Sequence, residues 1–350
     1  MVTNYKNREH TYEGFKNMLT YLGEYNFNLD RKIIYGSDIE FFKAKYPTDP
    51  GAYKTHDEEI HSQYVDYQFR PYEDIYATIG GRNDIHTTAG DEQSYRVTGA
   101  YDLGRNSKIR LSYGTGFLFP SLYESGRYGW TTQVADLINA EKTTSFDIGY
   151  ETYFNTLDLG FNITYFDILV EDPIMGSNIT SFQDNVPGAE NTSKGIELAT
   201  NWTDNKKLNI VFNYTLTKSY SGMDCDKPKK DAFGYTSCLD TGHGWLESAM
   251  VRVPLHAISS KINYQINKDL NSSLLLTYKG QTRDYGGTDY SFKDQILDEY
   301  LLLDLVSSYK LSRNYKLDFS LKNLLDKDYE NSLDYSGTPR TMNIGLKKSF

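Results

Sequence analysis

Apolar and polar residues alternate along most of this chain. In the segment 315–324, apolar residues occupy every second position, and Lys, Asp and Ser stand between them. The segments 143–154 and 207–218 repeat this pattern. Because successive side chains of a β-strand point to opposite faces, each segment predicts a strand with one apolar and one polar face. No segment shows a helical stripe of comparable strength, so the pattern predicts an all-β chain.

The alternation predicts fifteen strands, and most of them are long. A strand that crosses an outer membrane at a tilt needs about 9–11 residues, whereas the mean strand of a soluble protein has about 5–6 residues. The lengths therefore favour strands that cross a membrane. The predicted strands are 17–29, 32–44, 62–70, 72–83, 94–103, 108–118, 142–154, 157–169, 194–203, 206–219, 255–266, 270–282, 299–311, 315–324 and 339–350.

Short and long connections alternate between these strands. Bacterial outer-membrane barrels have short periplasmic turns and long extracellular loops, so the sequence predicts an antiparallel transmembrane β-barrel. A soluble solenoid or sandwich rich in Tyr is the alternative. The short turns hold 30–31, 71, 104–107, 155–156, 204–205, 267–269 and 312–314, and the long stretches are 45–61, 84–93, 119–141, 170–193, 220–254, 283–298 and 325–338.

The composition agrees with a barrel. The chain has 350 residues, 31 Tyr, 17 Phe and a net charge of −10, with a mean hydropathy of −0.60. Barrel strands that face lipid on one side and a wet lumen on the other have a polar average, and Tyr suits the membrane interface. The acidic balance argues against a nucleic-acid partner. Residues 1–10 lack a secretion signal, so we expect either a cytoplasmic protein or a chain whose true beginning is missing.

Four motifs resemble those of TonB-dependent receptors and stand in the family's order. The stretch Leu321–Glu330, followed by Gly337–Thr341, is similar to the closing signature of that family. The final residue, Phe350, resembles the C-terminal signal read by the barrel assembly machinery. The chain departs from the family pattern at Leu118, Ala140 and Lys348. The three upstream motifs are Gly114–Glu124, Asn139–Glu151 and Asn185–Glu197.

The resemblance implies a barrel of 22 strands around a globular plug, in the bacterial outer membrane. Residues 1–350 would be the C-terminal part of that barrel, about fifteen strands, with the plug, the first strands and the signal peptide missing. Implied partners are membrane lipid, the barrel assembly machinery and the TonB energising complex, which acts through the plug. Unpaired strand edges cost several kcal/mol per group in lipid, so we expect that this chain alone does not make a working transporter.

Among the subfamilies, the cobalamin receptors are the most similar. That resemblance implies that Arg252 and Tyr290, with Tyr285 as an alternative to Tyr290, help to hold the ligand; an exposed loop charge and a rim aromatic are the other interpretation. Iron–siderophore and haem receptors share the general motifs and stay open as alternatives. Aromatic loop residues could grip a large ligand or pack within the loops, and a loop histidine keeps the haem interpretation open; these residues are Trp130, Trp245 and His243.

Two cysteines, Cys225 and Cys238, lie in the longest loop with twelve residues between them. Outside the cell a disulfide between them is the favoured interpretation. The sequence contains none of the usual zinc, nucleotide-binding or hydrolase motifs, so we expect neither an enzyme nor a cofactor. The function predicted is energised uptake of cobalamin or an iron chelate. A passive porin, a structural or adhesive barrel, and a non-functional receptor fragment are the alternatives.

Overall fold

A computed structural model describes residues 13–48, 52–125, 138–176, 183–185, 189–204, 207–223, 249–285 and 294–349. Fifteen strands form one sheet in which each strand lies beside its predecessor in the list that follows. They are β1 (Glu13–Asn28), β2 (Arg31–Thr48), β3 (Ala52–Tyr72), β4 (Ile75–His86), β5 (Gly90–Gly104), β6 (Ser107–Leu118), β7 (Glu141–Phe154), β8 (Leu159–Glu171), β11 (Ala189–Asp204), β12 (Leu208–Met223), β13 (His256–Gln265), β14 (Leu270–Lys279), β17 (Tyr300–Lys310), β18 (Tyr315–Lys322) and β21 (Thr341–Lys348).

Three short hairpins and one helical turn occupy the connections. The hairpins pair β9 (Ile174–Gly176) with β10 (Gln183–Asn185), β15 (Thr282–Tyr285) with β16 (Asp294–Leu297), and β19 (Glu330–Ser332) with β20 (Tyr335–Ser336), and the helical turn is α1 (Leu122–Ser125). Two compact units are built around β1–β4 and around β11–β21. Within each of them the neighbouring strands of the sheet run antiparallel.

All fifteen predicted strands are present, and the predicted all-β, antiparallel fold is confirmed. The seven short turns alternate with the other seven connections, so we call the two ends of the sheet the turn end and the loop end. Five of the seven connections predicted to be long are long in the structure, namely those that follow β6, β8, β12, β14 and β18. Two predictions are wrong: β2 and β3 include 45–48 and 52–61 of the stretch 45–61, and β4 and β5 leave only residues 87–89 of the stretch 84–93 between them.

These strands run further than predicted because the hydrogen bonds between strand backbones do not depend on side-chain polarity. Around Asp57 and Glu58 the side chains are polar on both faces, so the period-two signal disappears although the strand continues. Beyond the end of β4, the Thr87 N–H still donates to the Glu59 carbonyl oxygen at 3.1 Å. The strands therefore extend past the region where alternation reveals them.

In the unit around β11–β21, one face of the sheet carries a row of apolar side chains. Leu274 of β14 lies opposite Leu305 of β17, and β18 and β21 continue that row with Leu321 and Met342. Met342 is 62% exposed. A soluble protein rarely exposes a continuous apolar surface of this kind, whereas lipid favours it. Among the described residues, no helix is long and apolar enough to cross a membrane.

Candidate functional site

Arg252 is the predicted ligand-binding residue whose side chain the structure describes. The backbone of Tyr285 ends β15 at the loop end, in the same region as Arg252. The other predicted site residues, both cysteines and the terminal residue lie outside the described residues: Trp130, Cys225, Cys238, His243, Trp245, Tyr290 and Phe350. Their roles stay predictions.

Arg252 lies in a tight turn just before β13. Its φ angle is 65°, in the left-handed region, and the Val253 N–H donates to the Met250 carbonyl oxygen at 3.3 Å. The Arg252 N–H donates to the carbonyl oxygen of Arg283 at 2.8 Å. In return, Arg283 Nη1 donates to the Ala249 carbonyl oxygen at 3.1 Å. The turn 249–253 is therefore fastened to β15 by backbone and side chain together.

A buried carboxylate holds the side chain of Arg252. Arg252 Nε donates to Asp284 Oδ2 at 3.0 Å; the Asp284 side chain is 0% exposed and that of Arg252 is 53% exposed. The same oxygen accepts the Leu333 N–H at 2.8 Å. We call Arg252, Asp284 and Leu333 the loop clamp, because they join the turn before β13, the β15–β16 hairpin and the β19–β20 hairpin. Sequence reasoning missed Asp284, since nothing in the local pattern marks it as buried.

A second set of contacts supports the β19–β20 hairpin. The Tyr300 hydroxyl donates to Asn331 Oδ1 at 2.6 Å, and the rings of Tyr300 and Tyr329 lie 4.6 Å apart between centroids. Tyr300 is buried. These contacts hold the β19–β20 hairpin, and with it Leu333 of the loop clamp, against the first residue of β17. A rigid support of this kind can present the Arg252 guanidinium in a fixed direction.

The closing motif acts through one buried asparagine. Asn323 is 3% exposed and has a φ angle of 49°. Its Oδ1 accepts the Lys327 N–H at 2.9 Å, and its Nδ2 donates to the carbonyl oxygens of Lys327 and Thr338 at 2.9 and 3.1 Å. At the end of the motif, the Arg340 N–H donates to Asp326 Oδ1 at 3.1 Å. The motif therefore fixes the backbone that leads from β18 to β21.

Two upstream motifs meet at the loop end. The Asn139 N–H donates to Asn185 Oδ1 at 2.7 Å, and Asn185 Nδ2 donates to the carbonyl oxygens of Asn139 and Asp172 at 3.1 and 3.0 Å. Two residues after Asn139, Glu141 Oε1 accepts the Ile174 N–H at 2.5 Å. The side chains of Asn185 and Glu141 therefore bind loop backbone.

The polar face of β2–β4 carries a buried network that sequence reasoning missed. Asp38, Ser62 and Asp84 form one row across the three strands. Ser62 Oγ donates to Asp84 Oδ1 at 2.5 Å, and Arg82 bonds both acids, with Nε–Oδ2 and Nη1–Oδ2 distances of 2.9 and 3.1 Å to Asp84 and Asp38. Neighbours in the row Asp38, Ser62 and Asp84 are more than twenty positions apart in the sequence, so only the strand register brings them together.

A second polar cluster, centred on a histidine, lies further toward the loop end of these strands. His86 Nδ1 accepts the N–H groups of Thr88 and Ala89, while His86 Nε2 lies 3.3 Å from Glu58 Oε2. The ring of Phe119, from the motif 114–124, lies 4.6 Å from the His86 ring. Each of these side chains bonds at least one protein group, but the buried Asp38 Oδ1 has no hydrogen-bond partner among the described residues. Within the described ranges, no group of three or more His, Cys, Asp or Glu residues is arranged to hold a metal ion.

Comparisons with known proteins place this geometry in context. Residues 2–324 match the family model described as TonB dependent receptor-like, beta-barrel. The vitamin B12 transporter BtuB of Vibrio cholerae is 23% identical over 270 residues, which are 76% of this chain and 39% of that protein. The chain therefore spans about two-fifths of the length of this curated relative.

Solved structures show the same fold. The FrpB iron transporter from Neisseria meningitidis superposes with a TM-score of 0.76 at 13% identity, over 97% of this chain and 56% of that one. The ferric enterobactin receptor mutant (Q482A) of Pseudomonas aeruginosa, solved with enterobactin, gives 0.71 at 18% identity, over 97% and 55%. The matched proteins are receptors and transporters.

Proposed function

Because the chain belongs to the TonB-dependent receptor-like β-barrel family and is thus an outer-membrane protein, we propose that it forms the membrane part of a receptor for energised uptake of a large, scarce ligand. The loop end faces the cell exterior, and the turn end faces the periplasm. The observation that carries this proposal is a half-exposed arginine, Arg252, held at the loop end by a buried carboxylate.

Cobalamin is the ligand we propose first. The similarity to the vitamin B12 transporter supports it, and so does the chemistry of the rim. The guanidinium of Arg252 can donate a fork of hydrogen bonds to amide oxygens of the kind that surround a corrin ring. Tyr290, or Tyr285, would supply an aromatic face with a hydroxyl donor.

An iron chelate is the second candidate. An iron transporter and an enterobactin receptor share the fold, and an arginine suits the carboxylate or catecholate oxygens of a siderophore. Trp130 and Trp245 would then pack against the ligand, and His243 would be the residue to examine for haem. In both cases the TonB energising complex would act through a plug, and the barrel assembly machinery would insert the strands.

Equilibrium binding tests this proposal. The protein that carries this chain is purified from outer membranes in detergent and titrated separately with cyanocobalamin and ferric enterobactin. We expect saturable binding of one of them, weakened by Arg252→Ala and unchanged by Lys268→Ala, a charge removed from a turn at the opposite end. Absence of saturable binding of both, together with steady conductance in planar bilayers, would support a passive pore instead.

A further inference from the structure

Asp284 lies beneath the rim and is completely shielded from solvent. A ligand at the loop end therefore cannot touch it, and any effect of Asp284 on binding has to pass through its neighbours. We propose that Asp284 is a positioning residue that fixes the Arg252 guanidinium and locks three loop-end segments into one receptor rim. This inference rests on the proposed function and identifies how that site is preorganised.

The geometry requires Asp284 to act on two segments at once. One oxygen, Oδ2, accepts both Arg252 Nε at 3.0 Å and the Leu333 N–H at 2.8 Å. A carboxylate taken out of water is stable only with such partners, and removal of one partner of a buried pair is strongly unfavourable. The contact is therefore persistent, and it joins residues 32 and 49 positions away from Asp284 in the sequence.

The contact favours ligand binding because it restricts the conformational freedom of the Arg252 side chain in advance. A free arginine side chain samples many rotamers and loses them when a ligand binds, which reduces affinity. Here the Arg252 backbone is fixed by Arg283 and its Nε by Asp284, yet half of the side chain is still exposed. A ligand then meets a guanidinium that is already oriented. The ordering cost is met when the chain folds rather than when the ligand arrives.

Hydrogen exchange without ligand tests the lock. Asp284→Ala is compared with Asp298→Ala, which removes an exposed carboxylate from the connection after β16. We expect Asp284→Ala to accelerate exchange at both 249–255 and 330–336, and Asp298→Ala to leave both unchanged. Asp284→Asn, which keeps the size and one acceptor, is included in case the alanine variant does not fold. If Asp284→Ala and Asp284→Asn both accelerate exchange only within 282–285, the proposal is overturned.

Binding of cyanocobalamin tests the positioning role. We expect Arg252→Ala and Asp284→Ala each to weaken binding about tenfold, because the first removes the donor and the second removes the contact that orients it. The double variant should be no weaker than Arg252→Ala alone. Unchanged affinity in Asp284→Ala, beside a loss in Arg252→Ala, would refute the role. If the unaltered protein does not bind the probe, the proposed ligand is wrong, while the exchange experiment still decides whether Asp284 locks the rim.

Discussion

The side-chain amide of Asn185 binds both backbone groups of Asn139: Asn185 Oδ1 accepts the Asn139 N–H, and Asn185 Nδ2 donates to the Asn139 carbonyl oxygen. The two residues are 46 positions apart and open two different family motifs. The pairing explains why an asparagine serves at 185, because its side-chain amide donates and accepts at the same time.

Replacement of Asn185 is expected to loosen the loop end. Asn185→Ala removes three hydrogen bonds to backbone and leaves the donors and acceptors without partners, at a cost of about 1–3 kcal/mol in the free energy of unfolding. Denaturant unfolding in lipid vesicles measures this cost. Asn314→Ala, at an exposed turn, is the matched control, and equal stability of the two variants would contradict the role of Asn185.

Replacement of Asn323 is expected to lower the free energy of unfolding by more than replacement of Asn185 does. Asn323→Ala removes three side-chain bonds and places a residue with little tolerance for positive φ at 49°, for a total of about 2–4 kcal/mol. Asn343→Ala, on the exposed polar side of β21, is the control. Asn323→Ala should lose its folded, heat-modifiable form on gels at a lower temperature than Asn343→Ala, and an unchanged transition would refute this prediction.

Gly337 is expected to tolerate no side chain. A Cβ there would overlap the ring of Tyr329, whereas one at Gly116 would meet open space. Gly337→Ala should therefore lower stability by about 1–3 kcal/mol, and Gly116→Ala should change it far less. Thermal unfolding of Gly337→Ala combined with Tyr329→Ala tests the cause: if the second substitution brings no relief, the overlap is not responsible.

A disulfide between Cys225 and Cys238 remains a prediction, because both residues lie outside the described part of the chain. A disulfide closing a loop of this size gives about 3 kcal/mol in the chain-entropy model. Peptide mapping of surface-exposed protein without reducing agent is expected to find the two cysteines linked. Free thiols at both positions in the mature protein would rule out the disulfide.

The 350-residue chain, expressed alone with a secretion signal, is expected not to give a working transporter. In the described sheet, β1 and β21 each have one neighbouring strand, so each presents a row of backbone groups that lipid cannot satisfy. Protease digestion of outer membranes measures the result. A protease-resistant, heat-modifiable barrel made of this chain alone would show the expectation to be wrong.

The fold was predictable because lipid and water sort side chains so strictly. Wherever one face is apolar, as along Leu317 and Phe319 in β18, the alternation locates the strand within a few residues. It fails where both faces are wet, as around Asp57, because the hydrogen-bond ladder continues without any change in side-chain character. The extra hairpins of the loops, each of two to four residues per strand, are too short to show a period.

The candidate site was predictable only in part. Resemblance pointed to Arg252, but not to Asp284, because burial of a carboxylate depends on three segments that meet in space. The Asp38–Ser62–Asp84 row was hidden for a related reason: it arises from strand register, which requires the exact length of each turn. Pairing over long sequence separations is the information that a local pattern lacks.

The family motifs at the loop end bind backbone. The residues that identify the family are therefore separate from those that would determine ligand specificity. At Asn139, Asn185 and Asn323 these hydrogen bonds fasten the bases of the loops. The tips can therefore be exchanged, lengthened or shortened by evolution, or by grafting in the laboratory, while the foundations stay the same. The bases of the loops therefore identify the family to which a chain belongs, and relatives that share these motifs need not share a ligand.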